Sequence, residues 1–194
     1  MKRLAIALAA LSLSGCIAYT LVPAGEPSLV GGNTLSVEPS SEWNAMPKAM
    51  DQTEWEETWT RNGPLLETIG FVGGLPEGKT LRKQKKKTDR QVPLFRADMT
   101  PQDLVSMVET SYRTQGVTVF DIQSVDTVDF LGGKGVKMSF TYAPDDGISK
   151  KGSCILRVVD KKLYVIKLEG VSSHYFDAAV PEFEKIVASA RLEK

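Results

Sequence analysis

Histidine and cysteine are scarce in this chain: its 194 residues carry one imidazole, His174, and two thiols, Cys16 and Cys154. One imidazole cannot assemble the His/Cys ligand set of a zinc centre. A Cys154–His174 nucleophile pair is formally open, but Cys154 sits inside an alternating apolar strand pattern, which suits a buried, inert thiol. Neither a G-x-S-x-G elbow nor a Ser-x-x-Lys arrangement occurs. Gly132-Gly133-Lys134-Gly135 has the wrong spacing for a phosphate loop and precedes a strand pattern, so it reads as a turn. Asp145-Asp146-Gly147 lacks the spaced oxygen ligands and closing Glu of an EF-hand. Asp126 and Asp129 would project to opposite faces of a strand. The expectation is a protein that is not an enzyme and uses no metal or cofactor.

Net charge is also missing. Twenty-four basic residues balance 24 acidic ones, so overall charge selects neither nucleic acid nor a strongly acidic partner. Long apolar runs are missing too. The run Leu4–Leu13 has ten residues, about half of the roughly 20 that a membrane-spanning helix needs.

What is present begins at the front. Lys2 and Arg3 precede that short run, and Leu13-Ser14-Gly15-Cys16 closes it with small residues and a thiol. This order resembles a bacterial lipoprotein signal peptide with its lipobox. The resemblance implies removal of residues 1–15, diacylglycerol on the Cys16 sulfur, and a stable anchor of two or three acyl chains, since one chain alone binds only marginally. Ile17 stands where an Asp would signal inner-membrane retention in enterobacteria, so the resemblance favours the outer membrane, facing the periplasm. Cys154 would then be the one remaining thiol, with no intramolecular disulfide available.

Residues 16–27, with Pro23, Gly25 and Pro27, read as a lipidated tether or extended arm; eleven extended residues reach about 35–40 Å. Residues 28–194 read as one domain. Leu29–Val37 suggests a strand interrupted at Gly31-Gly32, and residues 38–50 a turn-rich stretch. Asn62-Gly63 between Glu54–Trp59 and Leu65–Val72 signals a hairpin. Thr100, Pro101 and Asp103 fit a helix start, Leu104, Val105, Val108 and Tyr112 a helical stripe, and Gly116 its stop. The period then changes to two: Val117–Val128, Val136–Tyr142, Ser153–Val159 and Leu163–Leu168 read as four strands joined by short connections, hence antiparallel. A second helix is expected near Asp177–Ala190, well formed only from Pro181 onward, with Phe176, Val180, Phe183, Val187 and Ala190 on its apolar face. The fold class is α+β: an antiparallel sheet with about two helices packed on it.

The stretch Leu163–Gly170 followed by Phe176, Phe183, Ile186 and Ser189 resembles the ending of PsbP-like and DcrB-like α/β/α sandwich domains. That resemblance implies a compact envelope or accessory domain and carries no reaction with it.

Two surfaces stand out as candidate contacts. Arg82, Lys83, Lys85, Lys86, Lys87 and Arg90 form a basic run that reads first as a mobile solvated loop and otherwise as a surface for anionic lipid headgroups or an acidic envelope protein, each cation near a charged membrane contributing about 1 kcal/mol. It has no interleaved aromatics of the kind that stack nucleic-acid bases. Trp55 and Trp59, sharing one strand face, read first as rings that cover a sheet; if a groove exists, they and Arg61 are the candidates for its lining. The expected role is therefore non-enzymatic binding at a membrane, through acylated Cys16 and these surfaces. The alternatives are a periplasmic carrier of a small apolar or lipidic ligand, and an enzyme without a recognisable motif.

Overall fold

The computed structural model describes residues 19–84, 91–144 and 147–193. Cys16 and the leader, Lys85, Lys86, Lys87, Arg90, and Asp145-Asp146 lie outside the described residues.

Among the described residues, eleven strands and two α-helices follow one another as β1 (Thr20–Val22), β2 (Ser28–Val30), β3 (Leu35–Val37), β4 (Trp43–Ala45), β5 (Glu56–Thr60), β6 (Glu67–Leu75), α1 (Pro101–Arg113), β7 (Val119–Phe130), β8 (Gly133–Ala143), β9 (Lys150–Val159), β10 (Lys162–Val171), α2 (Tyr175–Ser189) and β11 (Arg191–Leu192). Eight strands make one antiparallel sheet in the order β1-β4-β5-β6-β10-β9-β8-β7, and β11-β3-β2 make a second, small one. Helix α1 covers one face of the large sheet; α2 and the small sheet cover the other. The α+β sandwich expected from the sequence is present.

Alternation sorts the core into two layers. In β8, Val136, Met138, Phe140 and Tyr142 point to the α1 side. In β9, Cys154, Leu156 and Val158 do the same, while Ile155 and Val159 point to α2. Central strand β10 is apolar on both faces, with Leu163 and Val165 under α1 and Tyr164, Ile166 and Leu168 under α2.

Helix α1 starts as the sequence indicates. Thr100 Oγ1 accepts from the Asp103 amide, the Asp103 carboxylate accepts from the Thr100 amide, and Pro101 occupies the first turn. The helix ends at Arg113 and the chain turns through Gly116. Tyr112 then packs 5.1–5.3 Å, ring to ring, from Phe120, Phe140 and Tyr142. The β5–β6 hairpin also forms, with Trp59 opposite Ile69. Its six-residue loop is closed by buried Glu67, which accepts from the Arg61 and Asn62 amides at 2.8 and 2.7 Å.

Four expectations are corrected. The tether reading of residues 16–27 fails at its centre: Thr20–Val22 is β1, paired with β4 as the outermost strand of the large sheet. The folded unit thus begins before residue 28. Leu29–Val37 is not one interrupted strand but a hairpin of β2 and β3, turned by Gly31, Gly32 and Asn33 at φ 58°, 69° and 63°. Residues 38–50 contain β4 and a short 3-10 turn, Lys48–Met50. Helix α2 runs unbroken from Tyr175 past Pro181, because Ala179, Phe183 and Ile186 bury against the sheet and outweigh a local penalty of about 3 kcal/mol. Its face is centred on those three residues, with Phe176, Val180, Val187 and Ala190 at the margins.

Candidate functional site

Arg82, the first cation of the basic run, turns toward the sheet. Strand period two places Lys167 and Glu169 of β10 on the α1 face, where Glu56 from the start of β5 joins them. Lys167 Nζ lies 2.8 Å from Glu56 Oε1 and 3.5 Å from Glu169 Oε2. Gly70 on β6 makes this reach available: a β-carbon there would occupy the path of the Lys167 stem. Arg82 enters from its loop, with Nη2 3.8 Å from Glu169 Oε1 and its guanidinium 4.4 Å from the centroid of the Tyr112 ring. Tyr142 Oη donates to Glu169 Oε1 at 2.7 Å. The side chains of Arg82, Lys167 and Glu169 are 16%, 15% and 13% exposed, and that of Glu56 is 2% exposed.

Two cations therefore neutralise two carboxylates under α1. Burial pushes the Glu169 carboxyl up, but Lys167, Arg82 and the Tyr142 hydroxyl together hold it down at about 2. Burial also works against the charge of Arg82, yet the carboxylates of Glu169 and Glu56 keep it protonated. Burial drives the Tyr112 phenol and the adjacent Cys154 thiol well above their ordinary values. A cavity of about 30 Å³, lined by Leu81, Arg82, Ser111, Tyr112, Cys154 and Lys167 among others, has room for roughly one water. The cluster fixes charges in place, and Cys154 beside it is kept as the thiol.

The proposed contact residues are thereby divided. Arg82 belongs to the interior and not to the surface, while Lys83 is exposed. Trp55 and Trp59 do not share a face. Trp55 lies in the turn that precedes β5 and packs half-buried on the α1 side beneath Lys79. Trp59 is fully buried on the α2 side, edge-on to Phe71 at 4.6 Å, with its indole N–H donated to Glu57. The turn, closed by the Glu56 amide donating to the Thr53 carbonyl, breaks the strand period between them. Arg61 lies over the Trp43 ring at 4.5 Å.

Other residues weighed from the sequence fall as follows. Cys154 is buried under α1 and His174 precedes α2, so the sheet separates them. Asp129 pairs with Lys134 at 2.7 Å across the β7–β8 hairpin, while Asp126 lies opposite Lys137. Leu131 and Gly132, at φ 49° and 79°, turn that hairpin, and Arg157 Nη1 donates to the Phe130 and Leu131 carbonyls there. Among the described residues, no group of three or more His, Cys, Asp or Glu is placed to hold a metal ion, and no helix is long and apolar enough to cross a membrane.

The buried Glu56 and Glu182 and the partly buried Lys167 and Glu169 were not found from the sequence. A signal existed for two of them: Lys167 and Glu169 alternate with Ile166 and Leu168 directly after Leu163, Tyr164 and Val165, a stretch without charge on either face. Glu182 accepts from the Ser40 and Ser41 amides at 2.6 and 3.1 Å and ties the β3–β4 loop to α2.

One open groove of about 390 Å³ runs between the C-terminal half of α2 and the sheet, lined by Phe130, Leu131, Ile155, Phe183 and Val187 among others. Lys137 and Glu184 face each other there at 3.9 Å.

No family model matches this sequence, and no curated protein does. Similarity is found in three dimensions. Cyanobacterial PsbP (CyanoP) from Synechocystis sp. PCC 6803 superposes with a TM-score of 0.51 at 13% identity, over 96% of this chain and 99% of that one. A protein from Bacteroides thetaiotaomicron VPI-5482 gives 0.53 at 10% identity, over 88% of this chain and 49% of the other, so this chain spans about half of its length. The Ran-binding protein Mog1p of Saccharomyces cerevisiae gives 0.46 at 12% identity, over 90% and 95%. The fold is the α+β sandwich seen in PsbP.

Proposed function

We propose that this chain is a lipid-anchored protein of the bacterial envelope, held by acylated Cys16 on the outer membrane facing the periplasm, with a non-enzymatic binding or accessory role. One observation carries the reading: the sequence Leu13-Ser14-Gly15-Cys16 closes a short apolar run that Lys2 and Arg3 precede. It is supported by the placement of Thr20, four residues later, in an ordered sheet. Separation of Cys154 from His174 by that sheet, and the pairing of Glu56 and Glu169 with Lys167 and Arg82, support the non-enzymatic part. The test is metabolic labelling with a palmitate analogue: the native chain takes up label and is processed, and Cys16→Ala does neither. Label on the Cys16→Ala chain, or an unmodified thiol at the mature N-terminus, refutes the anchor.

A carrier role is a second reading, favoured by the groove beside α2, whose volume of about 390 Å³ lies within the range of small-molecule sites, roughly 300–1,000 Å³. A fluorescent fatty acid that binds the native chain and not Val187→Arg supports it; equal binding to both removes it.

A further inference from the structure

We propose that the β1 edge of the large sheet is itself a bilayer contact, so that the domain lies against the membrane that holds its anchor; this rests on acylation of Cys16. Only residues 17–19 separate Cys16 from β1. The three steps from Cys16 to Tyr19 span at most about 11 Å. The headgroup layer of one leaflet is roughly 5–8 Å thick. An acylated Cys16 therefore draws β1 to within reach of the headgroups and leaves no linker on which the domain could hang free.

The residues that arrive there suit that position. Tyr19 and Leu21 alternate with Thr20 and Val22, so they share one side of the strand, and they are 40% and 60% exposed while Val22 turns inward to the α2-side core. β1 is the outermost strand, and Leu21 stands opposite Asn44 on β4. Helix α1 packs at the other end of the sheet, on β7 and β8, and leaves this corner of its face uncovered. The 3-10 turn after β4 adds an exposed Lys48 and Met50, the latter 40% exposed. Tyrosine is enriched at membrane–water interfaces, a leucine side chain gains by leaving water, and a lysine pairs with anionic headgroups.

The experiment uses the full, acylated protein in vesicles of phosphatidylethanolamine and phosphatidylglycerol. Leu21→Cys, and Asp126→Cys on the opposite edge strand β7, are each labelled with an NBD fluorophore under native conditions, which leave Cys154 buried. The expected result is quenching by nitroxide lipids at position 21 and none at 126, with reduction by dithionite several-fold slower at 21. Equal, fast reduction at both sites overturns the contact while leaving the anchor standing. Shielding at 21 without lipid quenching points to a second copy on the edge and also overturns it. Absence of acyl mass on Cys16, with no flotation of the protein with vesicles, removes the anchor reading and the contact with it.

Discussion

The guanidinium of Arg82 covers the face of the Tyr112 ring at 4.4 Å while its Nη2 faces the carboxylate of Glu169. A loop is thereby fastened to helix α1 and to β10 at one point. Removing one cation from this ion cluster costs on the order of 3 kcal/mol, because Glu56 and Glu169 are then left to share Lys167. Arg82→Met should show that loss in urea unfolding. Lys83→Met, at an exposed neighbour, should stay within about 0.5 kcal/mol of wild type. Equal midpoints for the two variants would mean that the cluster does not hold the loop.

Glu169 makes stability depend on acid. Its carboxyl titrates at about 2 in the folded chain against an ordinary 4.5, the lowering by Lys167, Arg82 and Tyr142 outweighing burial. A group lowered on folding stabilises above its unfolded value, and that stabilisation disappears as pH falls through the window between the two. Wild type should lose on the order of 3 kcal/mol between about pH 4.5 and pH 2 from this site. Glu169→Gln should be less stable at neutral pH and flatter below pH 4.5. A wild-type slope retained in the variant would assign the loss to other carboxylates.

Asp51 acts in the opposite sense. Burial first, and the nearby charge of Glu56 second, raise its carboxyl to about 6, with Lys48 only partly offsetting them. The folded chain then holds a proton that the unfolded chain releases from the ordinary 3.8 upward. Stability from this site is full at low pH and falls as pH rises through about 4 to 6. Asp51→Asn should melt above wild type at pH 7 and lose that advantage at pH 4. A variant less stable than wild type at pH 7 would contradict the assignment.

These sites show which parts of the molecule the sequence displayed. The start of α1 was legible because Thr100, Pro101 and Asp103 satisfy one another within four residues. Strands β8 and β9 were legible because Val136, Met138 and Phe140, and Cys154, Leu156 and Val158, repeat at period two. β1, β4 and β11 are two or three residues long and owe their conformation to partners far away in sequence, so no periodicity announced them. Pro181 carried a local penalty that only the packing of Ala179, Phe183 and Ile186 offsets. Arg82 belonged to a run of cations, and nothing in that run separated this side chain, which turns inward, from its exposed neighbour Lys83. The split of Trp55 from Trp59 depends on where the turn ends and β5 begins, a boundary that sequence patterns place only to within a few residues.

The coupling of the small sheet to the large one turns on a glycine pair. A β-carbon at Gly73 would collide with the Gly31 carbonyl oxygen and with Thr34 Oγ1, which itself donates to that carbonyl at 2.8 Å. The β2–β3 turn therefore rests directly on the β6 backbone, with no side chain between them. Neither collision partner is the free end of a flexible chain, so Gly73→Ala must push the turn away. Forced overpacking of this kind costs about 1–3 kcal/mol. The loss should be local: amides of residues 28–37 should exchange faster in Gly73→Ala, while those of α1 on the opposite face keep their protection. Unchanged exchange in both regions, with a wild-type unfolding midpoint, would show that the two backbones have room to part and that the small sheet is held by α2 alone.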